Sequence, residues 1–394
     1  MPTISTKPLR KGHFSLAAIL VLTSLTLLQN GARAQVPSRL PVAHSIDLSR
    51  YIFPAFGHDA AIVGLLNKNT LLTARYGFDN GSTLDLWDVN TGQIKEHITA
   101  PYPVKSNSVA ISPDGSTLIA VQNIATDVPN PVYSPHTIYL WNIKSRSLID
   151  KIEFSSTSRL TGAFFAPDAS NRLLVTTNAP SRFLTIDLKT HNVINSVKYQ
   201  YAAYLQQNYV AFSPSSKLLV GLYTPDGSQP LGSFDIFDAK TLKVDNKVGG
   251  DQLGHTVDLP LFFISNKKLV LGNTLYDIQT KKATSVLPDH ADLHGHCLSP
   301  IPGHLGYAIF MVEHTKADTR LELWDIPHEK IVHQWPLPRR PRLLPRQKGG
   351  NDDDTEAVLP IAIYVARDDK AFGLLDAYGI LRVYDYDFSA LPSR

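Results

Sequence analysis

The densest run of titratable side chains in this 394-residue chain is Asp289-His290-Ala291-Asp292-Leu293-His294-Gly295-His296-Cys297, with His304 shortly after it. Imidazole, carboxylate and thiolate are the donors of zinc and copper sites. A closed site needs three or four such donors at fixed geometry, and spacing along the chain does not provide that geometry. No metal is assigned here, and His290 and His294 are kept as candidate binding residues. Cys297 is the only cysteine, so no intramolecular disulfide can form. A single thiol in an apolar setting is expected to pack as a small hydrophobe.

A second grouping is aromatic. Tyr199, Tyr201, Tyr204 and Tyr209 alternate with Gln200, Gln206, Gln207 and Asn208. Each ring offers an apolar body with a polar tip, which suits a carbohydrate or a protein surface. Tyr199, Tyr201 and Tyr204 are therefore candidate contacts, although alternation also fits ordinary strand residues. The segment from Arg339 through Lys348 to Asp354 is basic and then acidic, and reads as a solvated loop. The phosphate-binding, dinucleotide, nucleophile-elbow and His-Glu-x-x-His patterns do not occur. No catalytic residue and no cofactor is assigned.

The elements that would position these groups are announced by a repeat. Alternating apolar residues end in a large apolar or aromatic residue, then Asp or Asn, then a turn. The copies end at Trp87-Asp88, Trp141-Asn142, Ile186-Asp187, Phe237-Asp238, Tyr276-Asp277, Trp324-Asp325 and Tyr384-Asp385. The marker residues are 54, 45, 51, 39, 48 and 60 apart, which makes seven copies. Period-two alternation marks each copy as a strand. A polar strand follows each turn, as at Gln93–Ile98 and Leu148–Phe154. Another strand ending in a Pro-containing turn precedes most copies, most clearly at Val109–Gly115. Four strands per unit, seven times over, is the pattern of an all-β, seven-bladed propeller of antiparallel blades spanning residues 35–394.

The units resemble WD40-type repeats and the YVTN-type repeats of exported bacterial propellers. Three copies keep the aromatic-acid pair or a near form of it, at Trp87-Asp88, Trp324-Asp325 and Trp141-Asn142. Gly-His pairs at Gly57-His58, Gly254-His255 and Gly295-His296 sit upstream in three units. In that resemblance His58 and His296 are structural residues of the blade. His255 shares their slot and is also kept as a candidate on the loop face. The Asp that the family carries about six residues before the Trp is replaced, by Gly81 in the first unit and Tyr378 in the last. The last unit stops just after its marked strand, so its outer strand must come from elsewhere. His44–Ile52 is a spare alternating segment, and pairing it with the last blade closes the ring.

The long insertions point to one face. They are Asn123–His136 and Tyr223–Gly232 within blades, and Tyr199–Tyr209, Gly249–Leu259, Pro288–His296 and Pro336–Glu356 between them. Loops on a rigid scaffold are where function usually sits. The expectation is a non-catalytic binding module taking a protein or glycan partner. The alternative is a propeller enzyme with a site at the central channel, resembling hydrolases, lactonases or quinoprotein amine dehydrogenase subunits.

The first 34 residues read as an export signal. Lys7, Arg10 and Lys11 precede an apolar core from Phe14 to Leu28, and Ala32-Arg33-Ala34 is a small-x-small cleavage pattern. The core is shorter than the roughly 20 residues of a spanning helix. No later apolar run is long enough to span, so none is expected in the mature chain. Beyond residue 34 there remain 34 basic and 35 acidic residues, a balance that does not indicate a nucleic-acid partner. The expected location is periplasmic or secreted.

Overall fold

A computed structural model describes residues 42–52, 60–75, 83–99, 104–122, 137–154, 160–166, 171–178, 181–199, 210–223, 233–249, 261–286, 292–315, 318–337, 360–376 and 378–392. All belong to one compact unit, Pro41–Arg394. None of the helices among them is long and apolar enough to cross a membrane.

The first strand, β1, is His44–Asp47. Blade one is then β2 (Ala60–Asn67), β3 (Thr70–Arg75), β4 (Thr83–Asp88) and β5 (Gln93–Thr99). Blade two is β6 (Val104–Ile111), β7 (Thr117–Gln122), β8 (Thr137–Asn142) and β9 (Ser147–Glu153). Blade three is β10 (Leu160–Phe165), β11 (Arg172–Asn178), β12 (Ser181–Asp187) and β13 (Val193–Lys198). Blade four is β14 (Val210–Phe212), β15 (Leu218–Tyr223), β16 (Ser233–Asp238) and β17 (Val244–Val248). Blade five is β18 (Leu261–Phe263), β19 (Lys268–Leu271), β20 (Thr274–Asp277) and β21 (Lys282–Ser285). Blade six is β22 (Asp292–Pro300), β23 (Tyr307–Thr315), β24 (Asp318–Asp325) and β25 (Lys330–Pro336). Blade seven begins with β26 (Pro360–Val365), β27 (Ala371–Asp376) and β28 (Ile380–Asp385). The result is seven four-stranded antiparallel sheets, a seven-bladed β-propeller.

First strands of neighbouring blades pack on one another, β2 on β6 and β26, β14 on β18, and β22 on β26. They therefore lie nearest the axis, and the fourth strands form the rim. The inner strands of a blade are deeply packed, because both of their faces meet neighbouring blades, whereas the fourth strands are largely exposed. In β4, four consecutive residues, Leu84 to Trp87, are buried. The core is accordingly divided into inter-blade clusters, such as Leu72, Leu86 and Trp141 between blades one and two.

Blade seven takes its outer strand from the start of the unit, with β1 antiparallel to β28 in the register His44↔Val383 and Ile46↔Leu381. Ile46 and Leu48 are fully buried there. The expected strand is shorter than its alternation suggests. After Asp47 the chain turns into one helical turn, Ser49–Ile52. The Ser49 N–H donates to Asp47 Oδ1 at 2.9 Å, and the Tyr51 N–H donates to the Leu48 carbonyl at 2.8 Å. Local side-chain capping here overrides strand propensity.

The β1 pairing removes the free edge of β28 and buries Ile46, so a chain beginning at Tyr51 loses both. Its thermal midpoint is expected several degrees below that of residues 35–394. Ile46→Ala is expected to cost about 2–5 kcal/mol in denaturant titration. Equal midpoints for the two chains would contradict closure by β1.

Candidate functional site

The repeat marker is a turn-capping residue. Asp187 Oδ1 accepts the N–H groups of Lys189 and Thr190 at 2.9 and 2.8 Å. Asp238 does the same for Lys240 and Thr241, and Asp88 for Asn90 and Thr91. Asn142 holds Ser145 N–H and Asp277 holds Thr280 N–H. The residue four beyond the marker is left-handed in six blades: Gly92, Arg146, His191, Leu242, Lys281 and Glu329, with φ from 51° to 66°. A turn closed by a left-handed residue, with a bulge, is a standard hairpin solution. Blade six departs from the pattern, because Pro327 has no N–H to offer Asp325. Asp325 instead accepts the Tyr307 hydroxyl at 3.1 Å and meets His328 Nδ1 at 2.9 Å.

Three third strands carry an acid three residues before the marker. These acids, Asp85, Asp235 and Glu322, are fully buried. A buried carboxylate needs donors, and the preceding blade supplies them twice. Tyr51, just past β1, donates its hydroxyl to Asp85 Oδ2, and its ring meets Trp87 edge-on at 5.1 Å. Tyr199, just past β13, donates to Asp235 Oδ2 at 3.0 Å, and its ring meets Phe237 edge-on at 5.0 Å. Around Asp85 the network continues: His97 Nδ1 lies 2.6 Å from Oδ1, and Trp87 Nε1 donates to Thr73 Oγ1 at 2.9 Å. Burial and the Asp85 charge push the Tyr51 phenol well above its ordinary pKa, so it stays a donor. Glu322 is satisfied within its own blade by Trp324 Nε1 and Gln334 Nε2, each at 2.8 Å.

At one end of the axis, turns after the first strands join blades together. Arg367 in blade seven donates from Nη1 to the Ser112 carbonyl in blade two at 2.7 Å, passing over blade one. Asp368 Oδ2 accepts the Lys68 N–H from blade one at 3.2 Å. His304 of blade six is buried, and its Nε2 lies 3.4 Å from Asp369 Oδ2 of blade seven. Asp369 is left-handed, with φ 58°, at the position where Gly115 stands in blade two. Burial raises its carboxyl above the usual range, and His304 pulls it back. His304 Nδ1 and Asp369 Oδ1 are buried without a partner among the described residues.

The structure redistributes the sequence candidates. Tyr199 is a core residue stacked on Phe183 at 4.9 Å, so it is withdrawn as a surface contact. The alternative that alternation places Tyr199 in a strand is corrected too, since β13 ends at Lys198. Tyr201, Tyr204, His58, His255 and His290 lie outside the described residues. His294 and His296 fall inside β22 rather than in the connection Pro288–His296. There Leu293 pairs with Val312 and Leu298 with Phe310, so four residues bulge opposite one. Trp87, Trp141 and Trp324 are buried. Among the described residues no group of three or more metal-donor side chains is placed to hold an ion. The buried acids were visible in the repeat itself, as carboxylates interrupting an apolar run. Arg367, His304 and Asp369 left no linear signal.

No protein-family model matches the chain, and no curated protein does. Among solved structures it is similar to the β-propeller domain of Cps50 (Swd1) from Myceliophteria thermophila. The likeness has a TM-score of 0.50 at 11% identity, over 88% of this chain and 99% of that one. At that identity the likeness concerns the fold, and the class it supports is the β-propeller already seen in the sheets.

Tyr199→Phe removes a donor from a buried carboxylate, and is expected to cost about 1.5–3 kcal/mol by denaturant titration. An unchanged midpoint would show the hydrogen bond to be dispensable. Acid sensitivity follows from the turns. Asp187 is held below the usual carboxylate range chiefly by the Thr190 N–H, and Asp238 chiefly by the Thr241 hydroxyl. Their contribution is present above the ordinary pKa of about 3.9 and is lost as pH falls through the lower folded values. Asp187→Asn with Asp238→Asn is expected to flatten the acid limb of a stability-versus-pH curve below about pH 4. A limb as steep as in the parent would refute the assignment.

Proposed function

We propose that this chain is an exported, non-catalytic propeller that presents the long connections of one face to a protein or glycan partner. The observation that carries the reading is an asymmetry between the two faces. In antiparallel blades, the first-to-second and third-to-fourth turns share one face, and the remaining connections share the other. Every connection longer than six residues belongs to the second set, including those from Gln122 to Thr137 and from Pro336 to Pro360. Short turns on a closed ring make a rigid base, and length on the other face is free to vary for recognition. Export rests on the basic, apolar and small-residue order of positions 1–34, and it agrees with the likeness of the repeats to YVTN-type exported propellers.

Two experiments test the two halves. Expressed in a bacterial host from Met1, the chain is expected in the periplasm or medium with a mass beginning at Gln35; an uncleaved cytoplasmic chain would refute export. Tagged 35–394 should retain a near-stoichiometric partner from the envelope fraction of its source, and Tyr201→Ala with Tyr204→Ala should release it without altering the thermal midpoint. Tyr199 is left intact, because its loss acts on folding. A folded, monodisperse sample that captures nothing would move the function to the axis, where His304 and Asp369 sit.

A further inference from the structure

The face made of short turns is electrically divided. Blade three presents Arg172 and Lys189 there, and blade four presents Lys217, Lys240 and Lys243. Blade five adds Lys267, Lys268, Lys281 and Lys282. All eight lysines are exposed. Among the described residues the acids of these turns are Asp187, Asp238 and Asp277, and each caps its own backbone. The blade-three turn also carries Asp168, outside the described residues, which leaves the nine cations in excess. Blades six and seven reverse the balance. There Lys330, Arg367 and Lys370 stand with Asp325, Glu329, Asp368, Asp369, Asp385 and Asp387. The chain beyond residue 34 is close to neutral, so this is local patterning and not a consequence of net charge.

We propose that the turns of blades three to five form a docking surface for an anionic lipid membrane. Three features of the patch select that partner. The cations come from three adjacent blades on turns of four to six residues, which makes a broad, shallow array instead of a groove for a linear polymer. They are almost all lysine, a hydrated point charge suited to diffuse attraction, and not the planar fork that reads phosphates individually. The exposed turn positions of this sector carry no Phe, Tyr or Trp on which a nucleic-acid base could stack. Such attraction fades beyond a Debye length of about 8 Å at physiological salt, so it engages only when this face is turned to the membrane. Docked this way, the propeller directs its opposite face outward, toward any partner held by the long connections. The proposal stands on the turn face alone and does not depend on that partner.

The test is co-sedimentation of residues 35–394 with phosphatidylcholine vesicles, with and without phosphatidylglycerol. Binding is expected only with the anionic lipid, and it should vanish at high salt. Lys189→Gln, Lys240→Gln and Lys267→Gln together are expected to lower partitioning about a hundredfold. Lys68→Gln, Lys144→Gln and Lys330→Gln, with the same net charge and on the same face, should stay within about threefold of the parent. Thermal midpoints of both triples check that the fold is intact. Absence of binding at low salt would overturn the proposal, as would equal loss in the two triples. So would tighter retention by duplex DNA, or a salt-sensitive dimer formed without vesicles.

Discussion

The structure depends on one junction, where the two ends of the unit meet. β1 lies along β28, and the chain then turns sharply so that Tyr51 reaches Asp85 in blade one. Each half of this latch answers a cost that a ring cannot leave unmet. Without β1, β28 would expose a row of unpaired backbone groups. Without Tyr51, Asp85 would lose a donor at a site with no water-exposed surface. The pairing secures blade seven, and the phenol ties blade seven to blade one. The first and last blades also meet where β2 packs on β26, in the cluster of Leu65 and Leu71 with Ala371 and Leu375, and where Asp368 accepts the Lys68 N–H. The latch thus completes a seam that packing alone leaves with an open outer edge.

The same physics recurs elsewhere at smaller scale. Tyr199 repeats the Tyr51 arrangement between blades three and four, with the same edge-on aromatic and the same buried acid. At the rim, the residue eight past the marker is held by the next blade's turn. Arg146 pairs with Glu96, His191 lies 2.9 Å from Asp150, and Asn195 donates to the Thr241 carbonyl at 2.8 Å. The left-handed turn residue thus does two jobs in blades two and three: it completes a hairpin and it places a nitrogen-bearing side chain beside its neighbour's carboxylate. Sequence repetition becomes mechanical repetition because each copy contributes one half of a contact and receives the other.

Much of this was legible before any coordinates. Period-two alternation located the strands, and the recurring Asp located the turns to within a residue or two. The spare alternating segment at His44 identified the closing strand. Its early end was hidden, because the Asp47 side chain competes with the ladder for local N–H groups. Tyr199 was misassigned because a tyrosine's amphipathic character suits an interface and a buried carboxylate equally, and only the position of Asp235 decides between them. Five of the six left-handed turn positions hold residues other than glycine, so no glycine announced them. The Arg367 contact joins residues 255 apart, and nothing local in either segment encodes it.

Capping also accounts for the freedom of the turn face to carry charge. In blades three to five, the geometry of each turn is secured by the marker carboxylate and by backbone hydrogen bonds. The lysine side chains on these turns are exposed, and none of them caps the marker or fills the core. Substitution there changes the electrostatic character of the face without disturbing a blade, so lysine can accumulate in one sector and acid in another. Blades six and seven are less free. Their turns join the ring through His304 and Asp369, and Asp325 is engaged inside blade six by the Tyr307 hydroxyl. The strongly basic sector makes its contacts between blades through His191, the Lys240 and Thr241 carbonyls and Asn266, leaving its lysine side chains to the surface, and the sector that knits the ring at the axis kept its carboxylates.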